Sequence, residues 1–305
     1  MATPGWTEVK VLVPLGWHEL VAETLAVAPC TSVAIGLPSL DQVPPPEGFE
    51  VLCTYLPSHL DTRERRRAIE ESLRKLAVRA AVPELEGLEL QFKALPPEDY
   101  ATSWRERWRA FRVGHLAVVP PWHPHELNPD DLGLILEPGG AFGSGRHATT
   151  RACLLELQVR VRGGERVLDA GSGSGILSVT AALLGASEVL GFDVDASAPV
   201  YGESLAFDNE VGNICSFRHG GFEVLGPLDV NFDAVLANIY SDVIEDEASN
   251  MRARMRPGGW FLFSGCPAQH RESTHAAIEA AGLRIEVERR RGRWHTFAGV
   301  RPSTS

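Results

Sequence analysis

The sequence predicts an α/β protein of two domains, a doubly wound parallel sheet with a small α+β domain ahead of it. Three observations carry this. Val167-Leu168-Asp169-Ala170-Gly171-Ser172-Gly173-Ser174-Gly175 reads as a buried strand running into a tight glycine turn, and the apolar stretch from Ile176 to Leu184 reads as the helix after it. Strand-like and helix-like runs then alternate to residue 300. Upstream, residues 6–95 hold a complete alternating set of their own, and 305 residues suit two domains better than one.

In chain order, Val9 to Val13 has strand character and Trp17 to Ala28 spaces Leu20, Val21 and Leu25 as a helix does. Ser32 to Leu37 is a short strand, Pro44-Pro45-Pro46 marks a loop, and Phe49 to Leu56 is a strand. Thr62 to Ala81 is a long helix with Ile69, Leu73, Leu76 and Ala80 on one face. Leu88 to Ala94 alternates as a last strand. The order β-α-β-β-α-β predicts a ferredoxin-like sandwich over residues 1–95. It gathers no cluster of catalytic residue types and reads as a recognition module or a plain structural appendage. Residues 96–115 read as a linker holding a helix from Tyr100 to Phe111, packed down by Trp104 and Trp108, with Arg105, Arg107, Arg109 and Arg112 solvated around them, the alternative being a binding patch.

The third region, residues 116–305, opens with a short strand over His115–Val119 and a Pro-rich loop bearing His123 and His125, which lack the thiols or acids of a metal site. A helix follows to about Val161. Strands are predicted at Arg166–Ala170, Glu188–Asp193, Ile214–His219, Phe232–Asn238 and Trp260–Ser264. Helices are predicted at Ile176–Leu184, Ala196–Asn209, Ser241–Met255 and Gln269–Ala281. Leu283–Arg290 and Trp294–Val300, joined at Arg291-Gly292, read as a closing hairpin.

The spacing of the glycines selects the ligand. A dinucleotide fingerprint is G-x-G-x-x-G, with a helix N-terminus facing a pyrophosphate. Here it is G-x-G-x-G behind Asp169, so an anion stands where a diphosphate would have to sit. Asp169, Gly171 and Gly173 therefore suit a ligand with a cationic end. Asp193 ends the second strand 22 residues after Gly171, the place from which an acid grips ribose hydroxyls. S-adenosyl-L-methionine has the matching ribose, sulfonium and ammonium.

Composition narrows the partners. A net charge of −11 disfavours nucleic acid, which needs a basic surface. Five scattered cysteines without a C-x-x-C pair suit reduced thiols in a cytoplasm. No signal-peptide core and no run long enough to span a bilayer is evident.

Two further stretches carry chemistry. Gly139-Gly140-Ala141-Phe142-Gly143-Ser144-Gly145-Arg146-His147-Ala148-Thr149-Thr150 opens a helix just ahead of the glycine turn, where Thr149 and Thr150 cap backbone N–H groups or reach a ligand, and reads as a cofactor-covering loop. Asn238-Ile239-Tyr240 ends the fourth strand at the expected crevice. An amide oxygen there can accept N–H from an amine and hold its lone pair in line with a methyl group.

With these stretches the chain resembles the bacterial methyltransferases of ribosomal protein L11. The loop matches their G-M/L-A-F-G-T-G-x-H-x-T-T. The Asp99-Tyr100…Trp104…Trp108 helix, Pro121-Trp122-His123, the glycine turn and Asn238-Ile239-Tyr240 match as well. The resemblance implies a class I (Rossmann-like) methyltransferase domain behind a domain that recognises the ribosomal protein. It implies S-adenosyl-L-methionine contacts at Thr150, Gly171, Asp193 and Asn238, with Phe142 and His147 over the cofactor and Asn238 at the transfer site. It also implies transfer to lysine ε-amines and the α-amine. The expected protein is a cytoplasmic monomer with no membrane or nucleic-acid contact. Ser144 for Thr, Gly140 for Met or Leu, Ser172 for Cys, and Ser204-Leu205-Ala206 for Glu-Asn-Ala depart from the family pattern. The alternatives are a related methyltransferase acting on another protein or a small amine, and a non-catalytic module binding cofactor or ribosome.

Overall fold

The computed structural model describes residues 5–14, 17, 21–22, 24–25, 34–37, 45–80, 83–95, 110–124, 127–129, 131–137 and 145–303. These fall into two compact units divided before Ala110. The predicted helix from Tyr100, with Trp104 and Trp108, lies outside the described residues, as do His125 and the loop segment with Phe142.

The first unit holds β1 (Trp6–Pro14), β2 (Ala34–Leu37), β3 (Phe49–Pro57), α1 (Arg63–Ala80) and β4 (Leu90–Leu95). The sheet order is β2-β3-β1-β4 and every neighbour is antiparallel. A ferredoxin-like sandwich needs this order, because each helix crosses over one intervening strand. Ile69, Leu73 and Ala77 of α1 pack on Val11, Val13 and Leu52, together with Val21 and Leu25 from the predicted first helix.

The second unit begins with a small sheet, β5 (Phe111–Val113), β6 (Leu116–Val119) and β7 (Leu132–Ile135), in which Phe111 is a strand residue. Gln158 pins its first turn, accepting from His115 N–H and donating to the Val113 carbonyl, each at 2.8 Å. After α2 (Ala148–Arg160) come β8 (Arg166–Ala170), α3 (Ile176–Leu183), β9 (Glu188–Asp193), α4 (Ala198–Asp208), β10 (Cys215–His219) and β11 (Phe232–Asn238). Then follow α5 (Ser241–Arg254), β12 (Met255–Pro267), α6 (Arg271–Ala280), β13 (Arg284–Arg291) and β14 (Trp294–Val300).

The large sheet runs β10-β9-β8-β11-β12-β14-β13, parallel from β10 to β12, with β14 antiparallel to both its neighbours. Its central strands β8, β9 and β11 are buried on both faces, which is why they read as continuous apolar runs. Val167, Val189, Leu236 and Leu262 face one core with residues of α2, α3 and α4. Leu168, Leu190, Val235 and Phe261 face the other, with Ile244 and Met251 of α5 and Ile278 of α6. β12 is longer than predicted. Pro257-Gly258-Gly259 reads as a loop, but Gly258 N–H donates to the Arg301 carbonyl and Arg301 N–H to that of Gly259, each at 2.8 Å. Pairing with the C-terminal segment thus draws the glycines into the sheet. Among the described residues no helix is long and apolar enough to cross a membrane.

One buried charge ties α2 to β13. Glu156 is 2 % exposed and pairs with Arg160 at 3.3 Å and with Arg289 of β13. Removing it strands two guanidiniums, one of them half in solvent, so Glu156→Ala should lower unfolding free energy by about 2 kcal/mol in urea titration, below the range for a fully buried pair. A change within error would mean the pair only decorates the surface.

Candidate functional site

The strand order reverses between β8 and β11, and a ligand crevice opens beyond the carboxyl ends of such neighbours. Two predicted stretches meet there. The glycine turn follows β8, and Asn238-Ile239 ends β11. Gly171 has φ +74°, and a Cβ on it would lie 2.2 Å from Cγ2 of Ile239. Only glycine combines that conformation with that approach.

The turn is fastened to β9. Gly171 N–H and Ser172 N–H both donate to the Phe192 carbonyl, at 2.9 and 3.0 Å. Gly173 N–H donates to Oδ2 of Asp193 at 2.8 Å, and Asp195 N–H to its Oδ1 at 2.9 Å. Three amides that would cradle a pyrophosphate are thus spent inside the protein. Asp193 keeps acceptor capacity, since a carboxylate has about four lone-pair sites and two are used.

Asp169 sits below the turn, 1 % exposed. Ser178 Oγ donates to its Oδ2 at 2.6 Å, while Oδ1 is buried with no hydrogen-bond partner among the described residues. Burial pushes its carboxyl up to about 6, against the Ser178 hydrogen bond, and the nearby Asp193 charge pushes the same way. A buried acid with a spare oxygen and a second acid close by is a setting that a cation would relieve.

The second predicted cluster also comes together. His147 caps α2, its ring accepting from Thr149 N–H at 3.3 Å with Nδ1 2.6 Å from Thr149 Oγ1. The cap is therefore the imidazole rather than a threonine hydroxyl as read from the sequence. Thr150, in the first turn and fully buried, instead accepts from Asn238 Nδ2 at 3.2 Å. That contact joins residues 88 apart and fixes the Asn238 amide so that its oxygen is left for another donor. A Thr150 hydroxyl, an Asn238 carbonyl and the Gly171 turn so surround one point at the switch between β8 and β11.

A family profile described as Ribosomal protein L11 methyltransferase (PrmA) matches residues 5–302. The chain belongs to this family. It is 33% identical over 306 residues to the ribosomal protein L11 methyltransferase of Syntrophotalea carbinolica, covering 97% of this chain and 98% of that one. Against the Streptococcus pneumoniae enzyme of the same name identity is 30%, covering 95% and 94%. A crystal structure of the ribosomal protein L11 methylase from Lactobacillus delbrueckii subsp. bulgaricus superposes with a TM-score of 0.59 at 27% identity, over 64% of this chain and all of that one. The chain is thus a class I, S-adenosyl-L-methionine-dependent methyltransferase.

Sequence reasoning missed two groups in this family member's crevice. Trp294 opens β14 and pairs across the sheet with Pro267, at the end of β12. It is 6 % exposed, its ring lies edge-on to His147 with centroids 5.2 Å apart, and its indole N–H is buried with no acceptor among the described residues. Ser241, the residue after Asn238-Ile239-Tyr240, has its Oγ 2.7 Å from Nδ1 of His270, ahead of α6. A tryptophan two residues after a hairpin glycine was the available signal for the first; nothing local marks the second.

The raised Asp169 pKa sets a pH dependence. Folded, the group titrates at about 6; unfolded, at 3.8. Between these values the folded chain holds a proton the unfolded chain has released, so this group's contribution to stability falls as pH rises. Asp169→Asn should therefore raise unfolding free energy by about 2–3 kcal/mol at pH 7.5, and by far less at pH 4. Equal effects at both pH values in urea titrations would contradict the assignment.

Proposed function

We propose that this chain transfers methyl groups from S-adenosyl-L-methionine to lysine ε-amines, and to the α-amine, of ribosomal protein L11, as a cytoplasmic monomer without nucleic-acid or membrane contact. The observation that carries the reading is the meeting of Thr150, Asn238 and the Gly171 turn at the switch between β8 and β11. The cofactor, when bound, supplies an electrophilic methyl group on a sulfonium. The residues fit it. Asp193 has acceptor capacity for two ribose hydroxyls beside its two amide bonds. Gly171 allows close approach, and Gly173 holds the acid in place. Asp169 supplies buried negative charge toward the cationic end. Phe142 and His147 are assigned to the cover over the cofactor.

The nucleophile must be a neutral amine, with its lone pair free. The Asn238 carbonyl accepts one amine N–H and orients the nitrogen, without the full negative charge that would favour the ammonium form. α5 begins at Ser241, three residues beyond Asn238, and its N-terminal dipole disfavours a nearby ammonium. Residues 1–95, the linker over 96–115 and the domain over 116–305 divide the work between recognition and chemistry.

Asp193→Ala is expected to weaken cofactor binding by about 1–3 kcal/mol in calorimetry, since charged hydrogen bonds are lost. An unchanged affinity would remove the ribose role. Asn238→Ala should lower kcat far more than it lowers cofactor affinity, because its contact is made to the transferring amine; the reverse pattern would make it a structural residue. A chain lacking residues 1–95 should still bind cofactor yet leave purified L11 unmethylated, and full activity without them would transfer recognition to the catalytic unit.

A further inference from the structure

Several arginines of the second unit have a carboxylate. Arg112 is paired with Asp131, Arg271 with Glu288, Arg284 with Glu286, and Arg160 and Arg289 with Glu156. Arg151 and Arg291 have no acid partner among the described residues, in a protein of net charge −11. The register of β13 against α2 puts them near one another. Arg289 and Arg291 leave the same side of β13, and the Arg289–Glu156 pair fixes how β13 crosses α2. Two strand residues and five helix residues both span about 7 Å, which brings Arg291 level with Arg151. Partial burial, with the Arg291 charge adding to it, lowers the Arg151 pKa.

Arg151 is held in place. Arg151 Nη2 donates to the Arg112 carbonyl at 3.2 Å, and its guanidinium carbon lies 5.9 Å from the Phe111 ring centroid, a ring that Arg146 covers at 4.5 Å. Its location is the rim of the transfer site. Thr150, the preceding residue, bonds Asn238, and Trp294, three residues after Arg291, lies against His147.

We propose that Arg151 and Arg291 form a carboxylate clamp that takes an acidic side chain of the protein substrate beside its target amine. The inference rests on the function proposed above. Two guanidiniums match one carboxylate, whereas a nucleic-acid backbone needs a longer basic track than the committed arginines leave. The neighbouring Arg290 is turned to the Gly292 carbonyl at 2.9 Å.

The test is a charge swap with the full chain. In methylation of L11, Arg291→Glu and Arg151→Glu should each raise KM about tenfold or more, with kcat and calorimetric cofactor affinity within about twofold. Among L11 variants with single acidic residues changed to Lys, one should show a raised KM with wild-type enzyme and recover with the Arg291→Glu enzyme. An unchanged KM, or recovery by none of the variants, overturns the clamp. So does inhibition of the wild type, but not of Arg291→Glu, by a polyuridylate oligomer, which would assign the site to phosphate. A wild-type enzyme that leaves L11 unmethylated would defeat the function proposed above instead. The clamp is then judged by glutarate alone, which should shift the Arg151 and Arg291 Nε–H NMR signals together in wild type; absence of a shift at about 50 mM, far above the weak affinity expected of one carboxylate pair, overturns it.

Discussion

The crevice depends on how the glycine turn is tied to its neighbouring strand. Amides of residues 171 and 172 share the Phe192 carbonyl, and that of Gly173 closes on the Asp193 carboxylate. This spends the donors with which such turns commonly hold phosphates and leaves acceptors instead. The same bonds orient Asp193, so the acid proposed to bind ribose and the turn beneath it are fastened together. A diphosphate would meet two carboxylates and few free amides there; a sulfonium ligand meets complementary charge.

Around that turn the fold arranges opposing electrostatic demands. Asp169 is buried under the turn at a cost to stability at neutral pH, the kind of local penalty that marks functional sites. Two helix starts lie near the Asn238 end of the crevice, α2 at Ala148 and α5 at Ser241. Negative charge is thus concentrated where a cationic donor belongs. The acceptor side carries neutral oxygens and positive helix ends, which favour an uncharged amine. Beyond both lie Arg151 and Arg291, the two arginines of the proposed carboxylate clamp.

Much of this was readable from residues alone. The strands over Arg166–Ala170, Glu188–Asp193 and Phe232–Asn238 fall where apolar runs between turn residues put them, because strands buried on both faces leave an unbroken signature. In the small sheet β6 falls on the predicted strand over His115–Val119, whereas β5 and β7 were harder to see: each spans three or four residues, β5 begins inside the predicted linker helix, and β7 pairs in parallel with β6 across a Pro-rich loop. β12 was read too short, because its first residues are held by Arg301, far along the chain.

The sequence by itself determined the two-domain organisation, the glycine turn, both acids and the family resemblance. Each of these is written in local spacing, which backbone sterics and hydrogen-bond geometry translate directly into structure. The tertiary structure decided which residues meet. The bond from Asn238 to Thr150, the packing of Trp294 on His147 and the burial of Glu156 between two arginines all join positions far apart in the chain. Such contacts follow from strand order and helix crossing, and local spacing along one segment carries no record of either.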